Sequence, residues 1–373
     1  MFALKVLNKN YKTLGIILKP NLLKTKNKKS NKICFLNFIA LEHIILNDNI
    51  ILQLPKFRIH LDPTKEPQGN IIFISHSHAD HMLRKKTPIP KLCSLETEKL
   101  VSARRNYPLI NTINEELSIN NLNLRMVDTG HVLGSRGLVI ENEKKILFTS
   151  DFCARSRAFL GNLKPEKCDY LMMEATFGKE KYVFPPSEEI IKNAKDWVED
   201  QFKKGCPVVL MGYTLGKAQL LCKMFEDFSP IYVDENIKKI NDVYRECGVE
   251  SLQDFKSFEQ TKQLKIPPWI LITSPTSGRA KLMRKVNAKT AIFTGWGVDE
   301  ESYVYRMKVN RVFPLSDHAD FNELVKTVEK CSPEKVFVSH GYDHEFAAHL
   351  KSRGFDAKPL SFRKSPLINF SEI

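Results

Sequence analysis

The 373-residue sequence lacks several features that would define its class at once. Its eight cysteines include no Cys-x-x-Cys pair, which argues against a zinc ribbon or a disulfide framework and predicts a reducing, cytoplasmic location. No apolar run is as long as a membrane span, since the best stretch, Ile33 to Leu52, is interrupted by Asn37, Glu42 and Asn47. The N-terminus also lacks the continuous apolar core of a signal peptide. We therefore expect a cytoplasmic protein with no membrane partner.

Acidic residues are scarce relative to basic ones, with 43 Asp and Glu against 57 Lys and Arg, a net charge of +14. Residues 1–45 hold nine lysines and the single acid Glu42, which leaves about +6 for the rest of the chain. This Lys/Asn-rich stretch is predicted to be a basic, disordered extension, with an arm that grips phosphates as the alternative. The basic balance itself indicates either a solvated surface or attraction to a polyanion such as nucleic acid.

Strand and helix patterns divide the remaining chain into three sections. From Asn49 to about residue 179 short apolar runs with polar ends predict a series of strands. From about 180 to 308 strands alternate with helices, which predicts a small α/β domain with a largely parallel sheet. The last section, from about 309, returns to strands and helices like those of the first.

The densest cluster of metal-type side chains is the hexapeptide His76-Ser77-His78-Ala79-Asp80-His81, which follows the apolar run Ile71 to Ile74. In an extended chain, residues two apart lie on one side, so His76 and His78 can reach a common ion. A turn into a helix would bring Asp80 and His81 toward a second ion. Such motifs are individually weak, but four further segments also follow apolar strands: 128–135, 148–151, 315–320 and 338–341. Together they predict a metal centre.

The order and the residue sequences of these segments resemble those of the metallo-β-lactamase fold in its nucleic-acid branch, the β-CASP nucleases. The resemblance runs from about Asn49 to Gly354. The branch motifs correspond to Glu174 in 173–178, His318 in 316–320 and His340 in 339–341. The resemblance implies an α/β fold, an αββα sandwich split between residues 46–179 and 309–373, with an inserted β-CASP domain at 180–308. The motif sequences are most similar to those of short prokaryotic mRNA 3′-end-processing-like proteins and ligase-associated exonucleases.

The resemblance also implies a binuclear zinc site and a role for each of its residues. Asp151 would bridge two Zn²⁺ ions and Asp62 would fix a ligand histidine, while His318 acts as the general acid and Glu174 orients it. Two ions of this kind can share an attacking hydroxide and neutralise charge on the leaving oxygen. The implied terminal ligands are His76, His78 and His131 for one ion and Asp80, His81 and His340 for the other.

Contacts to the nucleic acid are predicted less directly. Lys217, Ser277 and Arg279 lie in two segments that follow strands and open helices, where backbone N–H groups can bind phosphate. An ordinary strand-to-helix turn is the alternative there, and Ser135 is a further candidate contact. Tyr213 and Trp296 could stack on bases or belong to the core. The sequence departs from many relatives at Ser150, where they have Gly before the bridging Asp.

The function predicted from these features is a zinc-dependent nuclease that hydrolyses phosphodiester bonds of RNA or DNA. The alternatives are a catalytically inactive nucleic-acid-binding scaffold subunit and a small-molecule metallo-hydrolase, which would not need the inserted domain. Exonuclease or endonuclease mode, Mn²⁺ in place of Zn²⁺ and a homodimer are left open. So is a DNA ligase or an RNA-processing protein as partner.

Overall fold

The computed structural model describes residues 43–360, apart from 47–49, 55–56, 66, 68, 106–107, 120, 260–267 and 278–279. Its first strand, His43–Leu46, begins inside the stretch that was predicted to be a disordered extension, and the rest of that stretch lies outside the described residues. Within the described part, none of the helices is both long and apolar enough to span a bilayer.

Two mixed sheets face each other. The first has the order β1-β2-β3-β4-β5-β6 and the second β19-β18-β11-β10-β9-β8-β7. The strands of the first sheet are β1 His43–Leu46, β2 Ile50–Leu54, β3 Phe57–Leu61, β4 Ile71–Phe73, β5 Lys91–Leu92 and β6 Thr112–Ile113. Those of the second are β7 Leu117–Ile119, β8 Leu122–Asp128, β9 Arg136–Glu141, β10 Lys145–Phe148, β11 Tyr170–Glu174, β18 Lys335–Ser339 and β19 Ala357–Pro359.

The core of the sandwich lies between these sheets because alternate residues of each strand point to one face. Leu61 and Phe73 of the first sheet pack with Leu138 and Phe148 of the second. Helix α1 (Leu95–Arg105) buries Val101 against the outer face of the first sheet. Helices α7 (Phe321–Cys331) and α8 (Asp343–Ser352) cover the outer face of the second sheet. The predicted αββα sandwich is therefore confirmed.

A third sheet, entirely parallel, has the order β14-β13-β15-β12-β16-β17. We call residues 187–313, which hold it and its helices, the third-sheet unit. Its strands are β12 Val208–Met211, β13 Ile231–Val233, β14 Lys256–Ser257, β15 Ile270–Thr273, β16 Lys289–Phe293 and β17 Arg311–Phe313. Its helices are α2 Ser187–Lys203, α3 Lys217–Met224, α4 Glu235–Glu246, α5 Ala280–Lys285 and α6 Glu300–Met307, with a 3₁₀ turn at Gly295–Val298.

One boundary of this unit differs from the prediction. Val312 and Phe313 were expected in the returning half of the sandwich, but β17 pairs in parallel with β16 at the edge of the third sheet. The chain re-enters the sandwich only after Phe313, through residues 314–320 to helix α7. That helix begins sharply because Asp320 and Glu323 each accept the other's backbone N–H at 2.9 Å, a reciprocal cap. The cap fixes the chain just after His318.

Candidate metal centre

The predicted ligands lie at the carboxyl ends of neighbouring strands. Residues 76–81 follow β4, His131 follows β8 and Asp151 follows β10, while Glu174 ends β11 and His340 follows β18. Strands β10, β11 and β18 are parallel neighbours, so their carboxyl ends meet at one edge of the sheet. The fold thus gathers side chains that are far apart in sequence.

Four buried or half-buried side chains form the centre of the site: His76, His78, His131 and Asp151. One ligand-type atom from each lies within 4.8 Å of all the others. Nδ1 of His78 is 3.1 Å from Nε2 of His76 and 3.0 Å from Nε2 of His131. Oδ2 of Asp151 is 3.6 Å from the Nε2 atoms of His76 and His131. Imidazole and carboxylate are ligand types that bind metal ions such as zinc, so these four side chains could hold a metal ion.

In each of the three histidines, the ring nitrogen that points away from the other imidazoles makes a hydrogen bond to the protein. These bonds show that the remaining nitrogens suit a cation. Nδ1 of His131 donates to the carbonyl of Asp317 at 3.0 Å, and Nε2 of His78 donates to the carbonyl of Leu215 at 3.3 Å. Nδ1 of His76 donates to the hydroxyl of Ser75 at 2.9 Å. A neutral imidazole has one N–H, so the three remaining nitrogens face one another with lone pairs. Lone pairs at this separation repel unless a cation lies among them, and the residues therefore fit a metal ion.

Burial keeps these imidazoles neutral. The pKa of His76 and the pKa of His131 lie well below the ordinary value, because burial disfavours the charged ring and neighbouring imidazoles add to the effect. Burial also lowers the pKa of His78. Neutral imidazole is the form that ligates a metal.

A second group of predicted ligands lies on the other side of Asp151. Nε2 of His81 is 3.4 Å from Oδ2 of Asp151 and 3.8 Å from Oδ2 of Asp80, and it is a buried atom with no hydrogen-bond partner among the described residues. The ring of His340 stacks on that of His81 with centroids 5.6 Å apart. The Asp80 side chain is 69% exposed. This group is more open than the first, and its orphaned nitrogen also suits a cation.

Asp62 orients the second group through several hydrogen bonds. Its Oδ2 accepts from Nδ1 of His81 at 2.9 Å, from the hydroxyl of Ser75 at 2.7 Å and from the hydroxyl of Ser150 at 3.0 Å. Its Oδ1 accepts from the backbone N–H of Ser75 at 2.7 Å. The carboxylate therefore fixes the tautomer of His81 and, through the Ser75 hydroxyl, that of His76. Such outer partners tune metal ligands.

Three residues of the site have left-handed backbone conformations, with φ of 44° at Asp62, 50° at Ser150 and 62° at His340. Non-glycine residues rarely adopt this region, and such strain concentrates at functional sites. The Ser150 hydroxyl also lies 2.8 Å from the Ser75 hydroxyl. The serine thus adds a hydrogen bond to the network at a strained position.

His318 and Glu174 form a pair beside the centre. Nδ1 of His318 is 2.9 Å from both oxygens of Glu174, and the His318 ring lies 4.5 Å from that of His131. Glu174 is 1% exposed and also accepts the backbone N–H of Phe152 at 2.8 Å. Burial opposes protonation of His318, but Glu174 outweighs it and raises the pKa of His318 to about 9. The Glu174 carboxylate therefore favours the charged form of the His318 ring.

Two of the predicted nucleic-acid contacts are wrong. Ser135 is fully buried, and its hydroxyl accepts from Thr129 at 2.9 Å inside the turn that carries His131. Lys217 is 1% exposed, and its ammonium donates to the carbonyl of Leu315 at 2.7 Å and to Asp317 at 2.9 Å. Neither side chain has a face open to phosphate, because protein partners take up its polar atoms.

The other predicted contacts have different outcomes. Ser277 is half-buried in a turn where its N–H donates to the carbonyl of Ser274 at 3.2 Å, and Arg279 lies outside the described residues. Tyr213 is 41% exposed. Trp296 packs against Phe177, with ring centroids 4.7 Å apart. Of these, Ser277, Arg279 and Tyr213 stay predictions.

The segment 315–318 is held by two arginines that were not among the predicted site residues. Arg157, 6% exposed, donates to the carbonyl of Ser316 at 3.2 Å and forms an ion pair with Asp317 at 2.5 Å. Arg155 donates to the carbonyl of His318 at 3.3 Å. Nothing in the local pattern around these arginines distinguishes them from solvated surface residues.

Comparison with known proteins agrees with this geometry. The family model for the Zn-dependent metallo-hydrolase RNA specificity domain matches residues 303–358. A probable DNA ligase of Opitutus terrae is 30% identical over 294 residues, which are 76% of this chain but 28% of that protein. An RNase J-like protein of Methanocaldococcus jannaschii is 22% identical over 320 residues, which are 72% of this chain and 76% of that protein.

A solved structure supports the fold alone. The crystal structure of a protein of unknown function from Enterococcus faecalis has a TM-score of 0.51 and 13% identity, and the match covers 79% of this chain and 80% of that one. Fold and site together define an αββα sandwich with a histidine- and aspartate-rich metal centre at its strand ends. The matched domain and these relatives support the β-CASP nuclease branch of the metallo-β-lactamase superfamily as the family of this chain.

Proposed function

We propose that this protein is a metal-dependent phosphodiesterase that cleaves RNA or DNA, with two Zn²⁺ ions as its cofactor. The observation that carries the proposal is the set of three imidazole lone pairs facing Asp151, next to the hydrogen-bonded pair of His318 and Glu174. A ribonuclease-like relative and a DNA-ligase relative support a nucleic-acid substrate. We also propose that the third-sheet unit corresponds to the inserted β-CASP domain.

The residues divide into those that would hold metal and those that would move protons. His76, His78 and His131 would hold one ion, and Asp80, His81 and His340 the other, with Asp151 between them. When bound, such ions supply Lewis-acid chemistry, which favours ionisation of water and stabilises charge on phosphoryl oxygens. Asp62 keeps its ligand histidine in the correct tautomer through the hydrogen bond to Nδ1 of His81.

His318 is suited to protonate the departing 3′ oxygen. Glu174 holds Nδ1 of His318 between its two oxygens, so the ring presents Nε2–H on the opposite side. Proton transfer by a positioned imidazole contributes about 10²–10⁴-fold in rate. Glu174 is therefore a positioning residue for His318.

We place the protein in the cytoplasm. The seven described cysteines, which exclude Cys34, are all free thiols. Free thiols of this kind fit a reducing compartment.

The experiment that tests the function is digestion of end-labelled RNA and single-stranded DNA of one sequence by the full chain. Wild type is compared with Asp151→Asn, His318→Ala and the surface control Asp200→Asn, whose side chain is 62% exposed. We expect cleavage by wild type and the control, and a loss of about 10²-fold or more in the other two. Cleavage by Asp151→Asn at the wild-type rate would overturn the metal assignment. Zinc binding without cleavage of either polymer would favour an inactive scaffold.

A further inference from the structure

A short loop of the third-sheet unit reaches the metal centre of the sandwich. It comprises Leu215, Gly216 and Lys217, at the start of helix α3, and we call it the 215–217 loop. The carbonyl of Leu215 accepts from Nε2 of His78 at 3.3 Å. This bond places the His78 proton on Nε2 and leaves Nδ1 to face His76 and His131. The tautomer of a predicted ligand is therefore set by the third-sheet unit.

Gly216 holds the loop against the turn that carries His131. Its φ is +87°, and a Cβ there would lie 2.5 Å from Cγ1 of Val132, closer than side chains can approach. The loop is also braced from its own side, because the Gln219 side chain accepts the N–H of Gly216 at 2.7 Å and donates to the carbonyl of Thr214 at 3.1 Å. Only glycine satisfies both the backbone conformation and the close approach.

Lys217 binds the segment that carries His318. Four successive carbonyls of residues 315–318 accept a charged or ring donor: Lys217 to Leu315, Arg157 to Ser316, His131 to Asp317 and Arg155 to His318. Lys217 and Arg157 also share the Asp317 carboxylate, at 2.9 and 2.5 Å. Of these four donors, Lys217 alone comes from the third-sheet unit. Its ammonium therefore ties that unit to both His131 and His318.

We infer that the 215–217 loop is a positioning element of the metal centre, through which the third-sheet unit sets the metal affinity of the sandwich and the placement of His318. This rests on the proposed function and deepens it. A loop that merely packed at the boundary would affect stability, but it would not specifically affect metal affinity. Control variants that cause the same strain, or the same loss of charge, at positions outside the loop distinguish a positioning role from simple packing.

The first matched pair is Gly216→Ala and Gly248→Ala. Gly248 has φ +89°, and a Cβ there meets nothing within 4 Å, so it reproduces the backbone strain without the contact. Zn²⁺ affinity of the full chain is measured by competition with a chromophoric chelator, alongside the melting temperature without metal. We expect Gly216→Ala to bind Zn²⁺ about 10–100-fold more weakly, as for lost outer-shell partners, and Gly248→Ala to match wild type.

The second pair is Lys217→Met and Lys91→Met. Lys91 is buried like Lys217, at 2% exposure, but its ammonium donates to the carbonyls of Thr87, Ile89 and Ile110, none of which belongs to the predicted metal site. Both variants remove a buried ammonium and should lower the melting temperature. We expect only Lys217→Met to weaken Zn²⁺ binding, and to lower kcat for nucleic-acid cleavage more than it changes KM.

These measurements separate the inference from the proposed function. If wild type binds Zn²⁺ and cleaves neither polymer, the proposed function fails while the metal affinities still test the loop. If Gly216→Ala and Lys217→Met each bind Zn²⁺ within about twofold of their controls, against the expected loss, the inference is overturned whether or not the protein cleaves. Should Gly216→Ala not fold, the lysine pair decides the question.

Discussion

The carboxylate of Asp62 offers the sharpest test of how the fold prepares the metal centre. It accepts three side-chain donors on Oδ2 and one backbone donor on Oδ1, all at 3.0 Å or less. In Asp62→Asn, one oxygen becomes an amide that donates. Whichever way the amide turns, its NH₂ group faces at least one of the donors that bond to the carboxylate in the wild type. That donor is either the backbone N–H of Ser75 or the ring Nδ1–H of His81.

The magnitude follows from the bonds lost. A hydrogen bond to a charged group is worth about 1.5–3 kcal/mol, and a buried donor left unpaired costs a similar amount. We therefore expect Asp62→Asn to lower the free energy of unfolding by about 2 kcal/mol. For a domain of the size of the sandwich, a loss of about 2 kcal/mol corresponds to a fall of about 4–8 °C in melting temperature. Since His81 loses its fixed tautomer, Zn²⁺ affinity should fall about 10–100-fold.

The assay is chelator competition for Zn²⁺ together with differential scanning fluorimetry of the metal-free protein. Asp200→Asn is the control, because the Asp200 side chain is 62% exposed and lies 3.8 Å from Lys203 in a surface ion pair. It should change neither quantity. If Asp62→Asn bound Zn²⁺ as tightly as wild type, the idea that Asp62 orients a ligand would be refuted, even if the protein were less stable.

Three further predictions concern the pair of His318 and Glu174, the metal and the ion pairs of Glu166. Glu174→Gln should lower kcat about 100-fold with little change in KM, because His318 loses the carboxylate that holds its proton. Initial rates on a labelled oligonucleotide measure both constants, and an unchanged kcat would contradict the positioning role of Glu174. Removal of metal by a chelator should lower the melting temperature, and added Zn²⁺ should restore it, since ligands that bind only the folded state stabilise it; no shift would count against a metal site. Partial burial opposes ionisation of Glu166, but hydrogen bonds from Lys145 and Arg125 outweigh it and lower its pKa below the ordinary 4.5. Glu166 therefore adds stability above that pH and loses it as pH falls through the lowered pKa, so Glu166→Gln should cost about 1 kcal/mol in urea unfolding at pH 7 and nothing in acid. A deficit that persisted in acid would show that the stabilisation does not come from this charge.

The pattern of strands and ligands was readable from the sequence because it is local. Each apolar run, such as Ile71 to Ile74 before His76, encodes a strand by its own composition, and the polar residue that follows must leave the sheet where the strand ends. The apolar spacing of the sequence predicts helices from Lys217 to Phe225 and from Ile237 to Cys247. Helices α3 and α4 lie within about two residues of these bounds, since that spacing is likewise local. The assignment of β17 failed because a three-residue strand does not show which sheet it joins.

Burial and partnership were decided by the tertiary structure alone. Lys217 follows a glycine at a helix start, a pattern that indicates an anion site, yet its partner carbonyl at Leu315 is 98 residues away and takes up the ammonium. The acceptor that fixes His78 is likewise 137 residues distant, at Leu215. A local pattern determines which side chains can bind or ionise, but which ones are left free depends on the groups that folding brings against them.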